Sequence, residues 1–165
     1  MKSFFGIALL VIAVAAFGCK SKKPVVEQGE LVEVINAEPA PVTDFIKISK
    51  SGCLGPCSIY DLTVWRDGRA DFKGIDNVPR KGAYSSRVPE PELIELWNAV
   101  DKVAAMEFEA EYQTQVMDVQ LITLTWDVAG DARKVRWKHG EPRELLALEL
   151  RLDAIANSGE WTSKD

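Results

Sequence analysis

Apolar and polar residues begin to alternate at Phe45, which is the pattern of a β-strand with one buried face. The clearest case is the segment 58–66, which places Leu62 and Val64 on the same face. An Asp-Gly pair at 67–68 then signals a hairpin, because glycine tolerates positive φ. Four strands are predicted in an antiparallel meander, near 45–48, 58–66, 69–74 and 83–88.

Two later segments have the period of amphipathic helices. The first opens with alternating prolines and glutamates at 89–92, which suit the first turn of a helix. Its apolar stripe consists of Leu93, Leu96, Trp97, Val100, Val103 and Ala104. The second helix is predicted to start near Pro142, with a stripe of Leu145, Leu148, Leu152 and Ile155 that Leu146 and Leu150 are expected to widen.

A second hairpin is predicted between these helices, with strands over 120–128 and 132–139. A turn centred on Gly130-Asp131 would set Trp126 opposite Val135 and Leu124 opposite Trp137, and it would pair Asp127 with Lys134. Apolar side chains then meet on one face of the hairpin, which supports this register.

The predicted element order is strand, strand, strand, strand, helix, strand, strand, helix. We therefore expect a single α+β domain over residues 45–165, with two helices packed on one face of a mostly antiparallel sheet. Trp161 is expected to anchor the end of the chain on the core.

The residues before this domain predict export and lipidation. Lys2 and the uncharged apolar run 4–17 have the form of a signal peptide over residues 1–18. The apolar run is shorter than the stretch that a transmembrane helix needs. The sequence Ala-Phe-Gly-Cys at 16–19 resembles the lipobox of bacterial lipoproteins, although Phe17 is bulkier than usual. Cys19 is therefore the expected lipidation site; an ordinary secretory signal or an uncleaved anchor is the alternative.

Residues 19–44 are predicted to be the lipidated N-terminus and a flexible tether, because they contain three prolines and no sustained helical period. Acyl chains on Cys19 would hold the protein on the membrane. Residue 20 is Lys and not the Asp that retains lipoproteins in the inner membrane of enteric bacteria, which favours the outer membrane.

Cys53 and Cys57 lie in a short connection between two predicted strands. In an oxidising compartment they can form a disulfide, because Gly55-Pro56 supplies a turn between them. A thiol-redox pair, a Cu(I) site that adds His139, and free buried thiols are the alternatives.

Around these cysteines the chain resembles a family of bacterial envelope proteins described only as a domain of unknown function. The family hallmark is Cys-x-Gly-x-Cys-Pro-x-Tyr, which here falls on Cys53, Gly55, Cys57 and Tyr60, with Ser58 in the place of the proline. The resemblance extends from about residue 45 to 161, and it implies an envelope location and frequent lipidation without implying an activity.

The amino-acid composition disfavours several classes of function. The 165 residues include 25 Asp+Glu against 20 Lys+Arg, a net charge of −5, which disfavours a nucleic-acid binder. The single histidine, His139, leaves little for acid-base or metal catalysis, so we expect no cofactor and a binding module rather than an enzyme.

Three other features of the sequence are candidate binding surfaces. An acidic run over 90–118 is typical of a solvated helix face and loop. A basic strip that could hold an anionic polymer or acidic partner comprises Arg133, Lys134, Arg136, Lys138 and Arg143, although an exposed strand face is the simpler interpretation. Of the five tryptophans only Trp65 is expected to be exposed.

The sequence therefore predicts a lipid-anchored envelope module that binds a protein or polymer partner and the membrane, but no nucleic acid. The alternative hypothesis is a thiol-redox or Cu(I)-handling protein that uses Cys53 and Cys57.

Overall fold

The computed structural model describes residues 42–112 and 117–164. The predicted signal peptide, Cys19 and almost all of the predicted tether lie outside these ranges. Within them the elements are β1 (Phe45–Lys50), β2 (Ile59–Trp65), β3 (Arg69–Asp76), β4 (Gly82–Arg87), α1 (Glu90–Ala104), β5 (Glu111–Tyr112), β6 (Ile122–Val128), β7 (Asp131–Trp137), α2 (Arg143–Asn157) and β8 (Thr162–Ser163).

The strands form one sheet in the order β5-β7-β6-β1-β2-β3-β4-β8. Every neighbouring pair is antiparallel except β5 and β7. The predicted α+β class, the order of the principal elements and the mostly antiparallel sheet are confirmed. Strands β5 and β8 were not predicted, because two residues are too few to show a period.

One face of the sheet and both helices enclose a single hydrophobic core. The strands supply alternate residues to it, as in β1 and β2, where every second side chain is buried. Helix α1 contributes the predicted residues Leu96, Trp97, Val100 and Val103. Trp161 packs its ring 5.4 Å from that of Phe72, which confirms its anchoring role.

The predicted register of the β6–β7 hairpin is wrong by two residues. Leu124 pairs with Val135 and Trp126 pairs with Arg133. The turn is centred on Ala129 and Gly130, which both have positive φ, the requirement of a type I′ turn that matches strand twist. Because the shift is two residues, the apolar side chains still face the core.

The expected widening of the α2 stripe is also wrong. Leu145, Leu148, Leu152 and Ile155 are buried, whereas Leu146 and Leu150 are 39% and 60% exposed. Both lie on the flank of α2 that turns away from the sheet. No helix in the part of the chain that the structure describes is long and apolar enough to cross a membrane.

Candidate functional site

A short loop over residues 51–58, here called the disulfide loop, connects β1 to β2 at one end of the sheet. Cys53 and Cys57 stand at disulfide distance, and their Cα atoms are 5.9 Å apart, within the range of protein disulfides. Cys53 lies within the loop and Cys57 leads into β2, so neither cysteine begins a helix. The N-terminus of a helix is the position that commonly lowers the pKa of a free thiol.

Side-chain hydrogen bonds hold the base of the disulfide loop from two sides. Gln120 Nε2 donates to the carbonyls of Ser51 and Ser58, each at 2.7 Å. Asn77 Nδ2 donates to the Cys57 carbonyl at 3.2 Å, and Ser58 Oγ donates back to the Asn77 carbonyl at 2.9 Å. The segment before β6 and the β3–β4 connection therefore position the loop, while its tip stays exposed.

A shallow groove of about 500 Å³ separates the disulfide loop from residues 118–121. The Leu54 amide donates to the Asp118 carbonyl at 3.3 Å across it, yet the Leu54 side chain is 82% exposed. One basic side chain, Lys138, and one acidic residue, Asp118, line this groove together with uncharged residues, so it has no dominant charge.

Beneath the sheet end that carries the loop lies a buried polar group, here called the Lys50 cluster: Lys50, Tyr60, Trp137, Glu149 and Asp153. Lys50 Nζ lies 2.8 Å from a Glu149 oxygen and 2.8 Å from an Asp153 oxygen. The Tyr60 hydroxyl donates to Asp153, and Trp137 Nε1 donates to Glu149 at 3.3 Å. The cluster joins α2 to strands β1, β2 and β7.

The Lys50 cluster changes the titration of two of its members. Burial alone would lower the pKa of Lys50, but its hydrogen bonds and charge attraction to Asp153 and Glu149 outweigh burial and raise it. Burial raises the pKa of Tyr60, and the hydrogen bond to the charged Asp153 raises it further. Lys50 is therefore held charged and Tyr60 neutral, which suits a structural clamp better than proton transfer near neutral pH.

The Lys50 cluster was not predicted from the sequence, although the sequence contains two indications of it. Lys50 follows Ile46 and Ile48 at the spacing of the buried face of β1. Glu149 and Asp153 are four residues apart, so they share one side of α2. The contact between the two elements depends on tertiary structure.

The sheet face opposite the helices, here called the open face, is not covered by any described element. Its residues alternate with the core residues along each strand. They include Phe45, Lys47, Ser49, Asp61, Thr63, Trp65, Arg69, Asp71, Lys73, Ser85, Arg87, Thr123, Thr125, Asp127, Lys134 and Arg136.

The predicted binding residues divide between the two faces. Trp65 lies on the open face beneath the Arg69 guanidinium, whose carbon is 5.1 Å from the ring centroid. Lys134 and Arg136 also lie there, and Arg136 pairs with Glu111. Arg133 instead faces the helix side and donates to the Met106 carbonyl at 2.9 Å. The basic strip is therefore not one continuous surface.

The predicted acidic run is distributed over helix and loop as expected. Glu95 pairs with Arg151 at 2.7 Å, and Asp101 pairs with Arg66. His139 is exposed just after β7. Within residues 42–112 and 117–164, no group of three or more His, Cys, Asp or Glu side chains is arranged to hold a metal ion.

These observations define an α+β sheet domain with one covered face, one open face and a cysteine-closed loop at its end. The chain belongs to the family described as Domain of unknown function (DUF6438), whose model matches residues 44–156. The match includes Cys53, Cys57 and every strand from β1 to β7. No curated protein matches the chain.

Proposed function

We propose that the protein is a non-enzymatic, lipid-anchored module of the bacterial envelope that binds another envelope component through its open face. The observation that carries the binding role is the open face itself. Among the described residues, both helices pack on the other side of the sheet, which leaves about half of a large β-surface available to a partner.

Membrane attachment is supported by the sequence before the domain. The apolar segment and the lipobox-like residues that end at Cys19 have the order of a lipoprotein signal. The residues between Cys19 and β1 would let the domain bind a component at a distance from the membrane, and the Lys at position 20 favours the outer membrane.

Metabolic labelling with palmitate tests the anchor. The wild-type chain should incorporate label and fractionate with the outer membrane, whereas Cys19→Ala should remain unlabelled. Equal labelling of both chains, or recovery of the wild type in a soluble fraction, would contradict lipidation at Cys19.

Detergent extraction of isolated envelopes tests the open face separately from the anchor, because detergent removes the contribution of the lipid. Wild-type protein should be partly retained by the extracted envelopes. Thr63→Glu, in the middle of the open face, should be released, whereas Ala147→Glu, on the exposed side of α2, should be retained. Equal release of both variants would argue against binding through the open face.

The alternative is a thiol-redox or Cu(I)-handling role for Cys53 and Cys57, favoured by the exposure of the loop tip. Thiol titration of the purified protein in mild glutathione buffers separates the two hypotheses. A bond that stays closed argues against redox exchange, whereas stoichiometric Cu(I) binding that Cys53→Ser abolishes would favour the alternative.

A further inference from the structure

Charge is segregated between the two sides of the sheet. The two helices carry seven acidic and three basic residues: Glu90, Glu92, Glu95, Asp101, Glu144, Glu149 and Asp153 against Lys102, Arg143 and Arg151. The open face and its edges carry seven basic and five acidic residues: Lys47, Arg69, Lys73, Arg87, Lys134, Arg136 and Lys164 against Asp61, Asp67, Asp71, Glu111 and Asp127. A chain with a net charge of −5 thus presents a positively charged sheet surface.

The side chains of the open face form rows that run across the strands. The central row consists of directly paired residues from β7 to β8, in the order Lys134, Thr125, Lys47, Thr63, Asp71, Ser85 and Thr162. The adjacent row contains Arg136, Thr123, Ser49, Asp61, Lys73 and Ala83. From Lys134 to Ser85 the central row alternates charged groups with hydroxyls, whereas the adjacent row places two hydroxyls, Thr123 and Ser49, between charged residues.

The hydroxyls in these rows have unused hydrogen-bonding capacity. Those of Ser49, Thr63, Thr123 and Thr125 are half-buried between neighbouring side chains, and within the described ranges they make no side-chain hydrogen bond. Lys73 and Lys134 likewise form no ion pair with a described residue. Hydroxyls can donate and accept hydrogen bonds, whereas lysine ammonium groups can only donate them. The rows therefore present both donors and acceptors, with a surplus of positive charge.

We infer that the open face binds an anionic polysaccharide that lies across the strands; this inference rests on the proposed function. Adjacent strands are about 4.8 Å apart, which is comparable to the length of one hexose unit. A sugar chain laid along the central row would meet a new side chain at each unit, with its hydroxyls on the Thr and Ser groups and its acidic groups on the lysines. Phe45 and Trp65, paired across β1 and β2, lie beside the row, with the Arg69 guanidinium over the Trp65 ring.

An anionic lipid surface fits the open face less well. Proteins that lie on membranes combine basic residues with exposed apolar side chains that enter the lipid. Of the exposed large apolar residues within the described ranges, only Ile75 belongs to a strand of the open face.

The test measures binding of the full chain, purified in a non-ionic detergent, to immobilised polygalacturonate and dextran sulfate, with neutral dextran as the reference. The double variant Lys73→Gln/Lys134→Gln removes two unpaired cations from the open face. The double variant Lys102→Gln/Arg143→Gln removes two cations from the helices, neither of which has an ion-pair partner among the described residues. Both variants have the same net charge, so they separate a binding surface from overall charge.

We expect the wild-type chain to bind at least one anionic polymer and to bind dextran weakly. Its affinity for the anionic polymer should fall by about tenfold in the open-face variant only, because each charged contact adds to polyanion binding and to its salt dependence. Equal losses in the two variants, or no binding to either anionic polymer, would overturn the inference. Competition by phosphatidylglycerol added to the micelles would also overturn it, in favour of lipid headgroups.

The two proposals can fail separately. If Thr63→Glu is released from envelopes while neither polymer is bound, the open face has a different ligand and only the polysaccharide inference fails. If the polymers are bound through the open face while palmitate is not incorporated, the anchor fails and the polysaccharide inference stands.

Discussion

The Lys50 cluster leads to a specific prediction about stability, because Lys50 neutralises two carboxylates in a largely buried position. The side chains of Lys50, Glu149 and Asp153 are 8%, 14% and 29% exposed. Removing one partner of a buried ion pair costs about 3–5 kcal/mol, because the remaining charge is buried without compensation. Since Asp153 retains access to water, we expect the effect of Lys50→Met to lie at the lower end of this range. The free energy of unfolding should fall by about 3 kcal/mol.

Lys47→Met is the matched control, because it makes the same substitution in the same strand on the open face. Lys47 is 40% exposed and lies 3.9 Å from Asp61, so its loss should cost less than about 1 kcal/mol. Urea unfolding followed by tryptophan fluorescence measures both. If Lys50→Met is no less stable than Lys47→Met, the cluster does not stabilise the fold as argued.

A double-mutant cycle with Asp153→Asn tests the interaction itself. If Lys50 and Asp153 interact, the double variant should be clearly more stable than the sum of the single losses predicts. Additive losses would show that Lys50→Met acts through packing rather than through charge.

The same cluster predicts how stability depends on pH. The pKa values of Lys50 and Tyr60 are both raised above their ordinary values of 10.5 and 10.0. Their contribution is therefore complete below about pH 10 and is lost as pH rises through the folded-state values. Wild-type protein should lose stability above pH 10 more steeply than Tyr60→Phe, and parallel pH curves for the two chains would refute this assignment.

Three further predictions concern local geometry, each measured by urea unfolding. Replacing Cys53 and Cys57 by Ser should cost about 2 kcal/mol, the chain-entropy value for so short a loop, and no change would mean that the bond is open in the purified wild type. Gly74→Ala should cost more than about 3 kcal/mol, because a Cβ there would overlap the Arg80 carbonyl; a stable, folded variant would contradict that close approach. Ala129→Asn should stabilise by about 1 kcal/mol, since Asn tolerates the positive φ of this turn position, and a loss of stability would contradict the type I′ turn.

Local pattern was sufficient to predict most of the elements. The strand around Leu62 and the helix around Val100 have clear periods, because each buries one face against the same core. The hairpin register was missed because Ala129 carries no turn signal, although the structure holds it at positive φ. A two-residue shift conserves the buried face, so the apolar pattern could not distinguish the two registers.

The candidate sites divide in the same way. The cysteine pair and its short connection are visible in the chain, because their contact spans only four positions. The Lys50 cluster joins residues as many as 103 positions apart, and the rows of the open face exist only because β1 lies between β2 and β6. Periodicity reports which face of its own element a side chain occupies, whereas the pairing of distant elements decides which charges and hydroxyls become neighbours. The class of fold thus follows from local pattern, and the surface on which function is proposed follows from strand order.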